Sequence, residues 1–451
     1  MIDAARLKRQ LSSLPTRAAE SGDAEAWGKN ELPELPTELL PDISEQVRAD
    51  VERVARNCSS AGPQIVETIK YGTIGSVNWG GDSDGADALL DQTDLEGLAE
   101  EILESALYRG VMDGIVRRGL DGVVRIEPLI GHTEPIYAPD SPVEVVGYVH
   151  AWTVENGQGA AKWTVRVWDF TENRMLEQQG LSDPSRFDLD AAADTAVTAT
   201  PEYPDGPPVP AFVLTDLARN RLPRGFFVKL LPLIKGDWVS QVRGDRTEEA
   251  TAFPQLLIKG LVESGTSERS PTHIIRVDGE HGGAEFMMPG DLSQMHNHHD
   301  RKQERLRADA MMPGGFMGGR QAPSGEALRE MNAKFINMCK RYANRLSRVL
   351  TMLTEQYAAA HGVQPPGPVI VTINREFERE AEAQRIVTLW REGLIEFGAA
   401  VRAASVLVPT WESKAVEDWI RSEAARYEAP TLEPGALDPA DDQPAPAPAG
   451  G

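Results

Sequence analysis

Two cysteines in 451 residues are too few for a disulfide framework, which excludes the small secreted scaffolds that cross-links hold together. Cys58 and Cys339 are read as reduced bystanders in a reducing compartment. No apolar run approaches the roughly 20 residues that cross a membrane. The start, Met1 to Arg9, reads as a charged helix without the apolar core and small-residue cleavage site of a signal peptide, so neither secretion nor membrane insertion is expected. Gly-Lys-Ser/Thr is missing from every glycine-rich stretch, which removes the phosphate-binding loop of nucleotide hydrolases. Positive charge is the scarcer sign. With 46 Lys and Arg against 69 Asp and Glu, the net charge of −23 argues against a tight nucleic-acid binder, since such proteins neutralise phosphates with clustered cations. It is compatible with a protein that nucleic acid passes without sticking.

What is present centres on Met311 to Tyr357. Met311-Met312-Pro313-Gly314-Gly315-Phe316-Met317-Gly318-Gly319-Arg320 cannot be a stable helix, because each glycine gives up more backbone freedom than any other residue. Ser324 then suits an N-cap, with Glu326 in the first turn. Leu328, Met331, Phe335, Met338, Tyr342, Leu346, Val349, Leu353 and Tyr357 follow at steps of three or four, the helical period. The local sequence offers this stripe no obvious internal partner, and something must bury it.

Along the rest of the chain the reading is α+β. Residues 1 to about 70 look helical, with a proline-rich interruption at Leu32 to Pro36 and a helix at Ile43 to Arg56. Trp79 to Asp87 is a solvated loop rather than a calcium loop, because its carboxylates have the wrong spacing. Leu95 to Arg118 reads as one amphipathic helix with Leu98, Ile102, Leu103, Ala106 and Val111 inside. Val123–Ile126, Val145–Val149 and Trp163–Trp168 are rich in β-branched and aromatic residues, and Asn156-Gly157 suggests a hairpin. Phe212–Leu214 is a short strand. A long helical pattern starts at Arg224-Gly225 and is weakened by Pro232 and Gly236. A small β unit pairs Thr272–Val277 with Ala284–Met288, a helix runs from Gln294 to Ala310, and Val369–Ile373 is a last strand. Helical stretches at Glu376–Arg391, Gly398–Ala404 and Glu412–Tyr427 precede a Pro/Ala/Asp/Gly tail expected to be disordered.

Four landmarks in this order resemble the portal proteins of tailed bacteriophages, particularly long-tailed ones: Arg224-Gly225 at a helix head, Ala252-Phe253-Pro254-Gln255 through Gly260, Pro323-Ser324-Gly325-Glu326-Ala327-Leu328 after a glycine loop, and the Val369 strand before an acidic helix ending at Gly393-Leu394-Ile395. The resemblance implies a portal-like fold. Residues 1–224 would hold N-terminal helices and a wing sheet, 225–252 and 293–312 two stem helices, and 253–292 a clip. Residues 313–322 would be a tunnel loop, 323–375 the long wing helix and return strand, 376–428 crown-like helices and 429–451 a disordered tail. It further implies a homo-oligomeric ring, usually a dodecamer, at the capsid vertex of the virion, assembled in the bacterial cytoplasm. Such a ring conducts double-stranded DNA during genome packaging and ejection, and its neighbouring subunits would bury the long stripe. Its other partners would be the terminase large subunit, a head-completion adaptor, and major capsid and scaffold proteins, with no membrane. Gly314, Gly315, Phe316, Met317, Gly318, Gly319 and Arg320 would line the DNA channel. Leu257, Lys259, Ile274, Arg276 and Phe286 would form the clip surface that meets motor and adaptor.

His296, His298, His299 and Asp300 make the densest metal-like cluster but are read as surface or inter-subunit polar residues. No catalytic residue, metal site or cofactor is expected. Lys334, Arg341, Arg345 and Arg348 place positive charge along the long helix, with pairing to acidic neighbours preferred over DNA contact. The competing reading is a soluble enzyme whose 313–320 segment is an active-site lid.

Overall fold

The computed structural model describes residues 2–31, 45–58, 60–80, 90, 93–119, 121–141, 143–154, 161–193, 196, 207–215, 222–252, 255–261, 278–287, 293–313, 325–374, 386, 389–390, 394–407, 417 and 420–421. Contacts divide the chain into two units. One spans Met1–Pro323 with Glu330–Asn374; the other spans Ser324–Arg329 with Arg375–Gly451.

The architecture is α+β with antiparallel sheets. Helices α1 (Ala4–Gly28), α2 (Glu45–Asn57) and α3 (Gly62–Thr73) precede strand β1 (Ser76–Trp79) and helix α4 (Leu95–Arg109). Strands β2 (Val111–Arg118), β3 (Val124–Pro128), β4 (His132–Tyr137), β5 (Val145–Val154), β6 (Lys162–Asp169) and β7 (Arg174–Leu181) follow, then α5 (Leu189–Ala193) and β8 (Ala211–Leu214). Strands β4-β5-β6-β7 form one sheet and β3-β2-β8 another. The hairpin expected around Asn156-Gly157 is present, with Trp152 opposite Thr164 and Thr153 opposite Trp163.

Both faces of the four-stranded sheet are covered. Leu7, Leu11 and Leu14 of α1, at helical spacing, pack with Val149, Ala151, Val165, Val167 and Leu176 on one face. The alternate residues Tyr148 and Trp168 pack with Val111, Ile115 and Leu129 on the other. Phe212 stacks on Tyr148 with ring centroids 4.3 Å apart. Trp168 is therefore core, as is fitting for a residue 1% exposed.

The single helix expected over Leu95–Arg118 is corrected. The helix stops at Arg109, Gly110 turns left-handed with φ 86°, and Val111–Arg118 is a strand pairing with β3 and β8. A left-handed residue costs glycine little, so Gly110 ends the helix where the apolar pattern alone would continue it.

Helix α6 (Phe226–Ala252) leads to β9 (Gln255–Leu261) and β10 (Asp278–Met287), after which α7 (Ser293–Asp309) and α8 (Gly325–Ala360) precede β11 (Val369–Thr372). Helix α8 has 36 residues, about 54 Å at 1.5 Å per residue. The expectation that its stripe needs other subunits is overturned from Phe335 onward; the side chains of Leu328 and Met331 lie outside the described residues. Phe335, Met338, Tyr342, Leu346, Val349, Leu353 and Tyr357 are all buried within the single chain, each contributing about 1.5–3 kcal/mol. Phe335 and Cys339 pack on Gly72 of α3, and Leu353 packs on Gly114 of β2. These partners lie more than 200 residues earlier, out of reach of any local reading.

Strand β11 pairs antiparallel with β1. The amides on its other edge are taken by the helix: Val371 N–H donates to Ser347 Oγ and Val369 N–H to Thr351 Oγ1, both at 2.9 Å. Each hydroxyl in turn donates to the carbonyl four residues back, Ser347 to Ala343 and Thr351 to Ser347. Four helical residues rise about 6 Å and two strand residues about 6.7 Å, so the two spacings match. A strand edge is thereby closed without another strand.

In the second unit, Ile386, Ala400 and Ile420 form a buried cluster with Trp390, Ile395, Phe397 and Val401, around helix α9 (Phe397–Leu407).

Candidate functional site

The segment carrying most of the expected function is the excursion from α6 through the β9–β10 pair and back along α7. Helix α6 runs unbroken past both Pro232 and Gly236, although Pro232 withholds an amide from the carbonyl four residues earlier. Burial supplies the reason. Phe227, Leu230, Ile234, Trp238 and Val242 are buried at steps of three and four, so tertiary packing outweighs the local defect. Tyr108 meets Phe227 edge-on at 5.6 Å. Trp27 meets Trp238 edge-on at 5.4 Å, and the Trp238 indole N–H donates to Cys58 O at 3.3 Å. Lys235 joins Asp23 at 2.5 Å. Burial first, then Asp245, holds the Cys58 thiol up at about 12, so this cysteine is inert.

Helix α7 returns against α6. Its Leu306 is buried, as are Ala310 and Met312 just beyond it. Lys302 Nζ donates to Gly236 O at 3.3 Å, and His299 Nδ1 lies 3.7 Å from Asp237 Oδ1. Burial raises the Asp237 carboxyl above the ordinary carboxylate range, against the opposing pull of His299 and Lys302. His299 thus belongs to an inter-helix polar contact. Within the described residues no three His, Cys, Asp or Glu side chains gather as a metal site; the side chains of His296 and His298 lie outside them.

In the β9–β10 pair, Leu257 stands opposite Glu285, Lys259 opposite Gly283 and Phe286 opposite Leu256. Strand β10 pairs with Gln255–Leu261; the Thr272–Val277 half of the expected β unit lies outside the described residues. Ile274 and Arg276 lie outside the described residues, as do Gly314, Gly315, Phe316, Met317, Gly318, Gly319 and Arg320. On the long helix, Lys334 pairs with Glu330 at 2.6 Å and Arg345 donates to Thr215 O. Arg341 and Arg348 are exposed.

Sequence reasoning missed a buried polar hub. Asp113 of β2, 1% exposed, accepts from Tyr148 Oη at 2.6 Å, from Thr133 Oγ1, and from Arg109 at 3.4 Å. Glu134, fully buried, accepts from Gln10 at 2.7 Å and Arg17 at 2.6 Å, with His132 Nε2 at 2.7 Å. The partners of Asp113 come from α4, β4 and β5 and those of Glu134 from α1 and β4, and no spacing within the sequence announces them. These hubs tie α1 and α4 to the sheets and satisfy charges that would otherwise be costly to bury.

No protein-family model matches the chain. No curated protein matches it. Among solved structures the chain is similar to one in the virion of a native gene transfer agent particle, with TM-score 0.39 and 13% identity over 82% of this chain and 93% of that chain. It is also similar to one in the neck of the native particle computed with C12 symmetry, with TM-score 0.41 and 14% identity over 79% of this chain and 92% of that chain. Likenesses this distant carry no argument about what the chain does.

Proposed function

We propose that this chain is a portal subunit: one member of a ring at a capsid vertex, a conduit for double-stranded DNA and a docking platform for a terminase motor and a head-tail adaptor. The reading is carried by one observation, the order of elements from Phe226 to Ala360. A long helix leads to a two-stranded β unit, a second helix returns along the first, and a glycine-rich segment then leads into a 36-residue helix seated in the body. The portal landmarks fall on these joints: Arg224-Gly225 just before α6, Gln255 at the start of β9, and Gly325 at the start of α8. The acidity of the chain suits a channel, since a net charge of −23 gives passing phosphates no deep electrostatic well.

On this reading the β9–β10 unit, with Leu257, Lys259 and Phe286, meets motor and adaptor, and the chain hydrolyses no nucleotide itself. Electron microscopy of the purified protein, with its mass from light scattering, tests the proposal. Annular particles with a central hole are expected. A compact monomer at micromolar concentration and physiological salt would reject the ring, and nucleotide turnover lost on a point substitution in this chain would favour the enzyme reading.

A further inference from the structure

Charges along α1 run against its own dipole. Arg6, Lys8 and Arg9 occupy the first turns and Glu20, Asp23 and Glu25 the last, with no acid in the first turn and no base in the last. A helix dipole favours the reverse order, so the arrangement costs the isolated helix stability. At each end lies a groove. The N-terminal one, about 490 Å³, is lined by Arg6, Arg9, Gln10, Tyr137 and Leu222. Asp3 also borders it, but its carboxylate is the N-cap, accepting from the amides of Ala5 and Arg6. Arg9 is exposed there, and Lys8, outside the lining, is exposed next to it in the chain.

The C-terminal groove, about 770 Å³, has Trp152 and Trp163 in its wall and Glu25, Glu101 and Glu104 at its edge. Lys29 shares Glu25 at 2.7 Å, Lys70 shares Glu104 at 3.3 Å and Arg109 donates to Gly131 O at 2.6 Å, while Glu101 stands exposed at the edge. Two buried polar atoms in its lining, Tyr108 Oη and His132 Nδ1, have no hydrogen-bond partner. Carboxylates beside the Trp163 indole suit a donor-rich cation such as a guanidinium. Nearby, Arg166 already lies over the Trp152 ring at 5.3 Å.

We propose that the basic end of α1 in one copy docks in the acidic groove at the other end of α1 in the next copy, making this pair of grooves a head-to-tail subunit interface. The inference rests on the ring reading and names the surface through which neighbours meet. Arg9 and Glu25 are 16 residues apart on one helix, about 24 Å along it, so the two ends cannot meet within a chain. The complementary charges therefore point to a second copy. Two different patches in contact make a heterologous interface, the kind that closes into a ring.

Charge reversal tests it. K8E/R9E makes the first patch acidic, and E25K/E101K makes the second basic; all four positions are exposed. Each variant alone should lose the wild-type oligomer in light scattering, with assembly weakened roughly tenfold or more. An equimolar mixture should reassemble, because each reversed patch then finds its complement, and that recovery also shows that both variants fold. If the wild type assembles and the variants assemble equally well, the interface is wrong while the ring stands. A monomeric wild type overturns both. If only E25K/E101K disassembles, or the mixture fails to recover, the acidic groove takes a basic segment other than α1 and the proposal fails.

Discussion

A β-carbon placed on Gly225 would sit 2.0 Å from the carbonyl oxygen of Tyr108. The contact is reciprocal: one placed on Gly110 would fall 2.7 Å from the backbone of Arg224. The end of α4 and the start of α6 are thus in backbone contact, possible only where both residues lack side chains. Arg224-Gly225, visible in the sequence as a mark at a helix head, has its physical cause here.

Replacing Gly225 with alanine should destabilise the fold by about 3 kcal/mol, at the upper end for overpacking because the obstacle is backbone. Gly236→Ala is the internal control. Nothing lies within 4 Å of its added methyl, and its helical position should gain about 0.5–1 kcal/mol. Denaturant midpoints at fixed protein concentration would measure both.

The hydroxyls that hold β11 give a second test. Ser347→Ala and Thr351→Val each leave a strand amide without its acceptor, costing about 1–3 kcal/mol. Hydrogen exchange should speed up at Val371 in the first variant and at Val369 in the second, with the other amide protected.

Acid sensitivity should trace to His150. Burial, opposed by its hydrogen bond to Ile130 and aided by Arg166 and Arg109, lowers this imidazole from 6.5 to about 4. Its Nε2–H donates to Ile130 O at 2.5 Å, and the ring lies 4.5 Å from that of Trp152. Between pH 4 and 6.5 the unfolded chain binds the proton and the folded chain does not. Stability therefore rises with pH across that window and is lost on acidification, by about 3 kcal/mol in all. In His150→Gln the slope of unfolding free energy between pH 4 and 6.5 should flatten by that amount.

If the chain is a portal subunit, Phe316 and Met317 are apolar tips between glycines, able to touch a duplex without salt-sensitive adhesion. Changing both to Ser should leave ring assembly intact and lower the DNA packaged per head. Changing both to Lys should slow DNA passage and steepen its salt dependence. Parental packaging by both variants would reduce the segment to a connector.

Legibility followed sequence distance. The stripe from Phe335 to Tyr357 was readable because it repeats on one helix, whereas its partners Gly72 and Gly114 were not. Val111–Arg118 escaped as a strand because its first six residues are buried, leaving no alternation to read. The excursion order was plain from turns and periods, but the pairing of β10 with Gln255–Leu261 was not, since pairing is set across a long connection. The acidic groove was invisible: Tyr108, His132 and Trp152 sit on three elements, and each looks like ordinary core in its own stretch.

The edge-on contact of Trp27 with Trp238 has a mechanical meaning. Helix α1 bears both charged ends, and through this ring pair and the Lys235–Asp23 bridge it is clamped to the middle of α6. A push on the β9–β10 end of α6 would therefore bear on α1 at this clamp, and, if neighbouring copies meet at the ends of α1 as proposed, would pass to them.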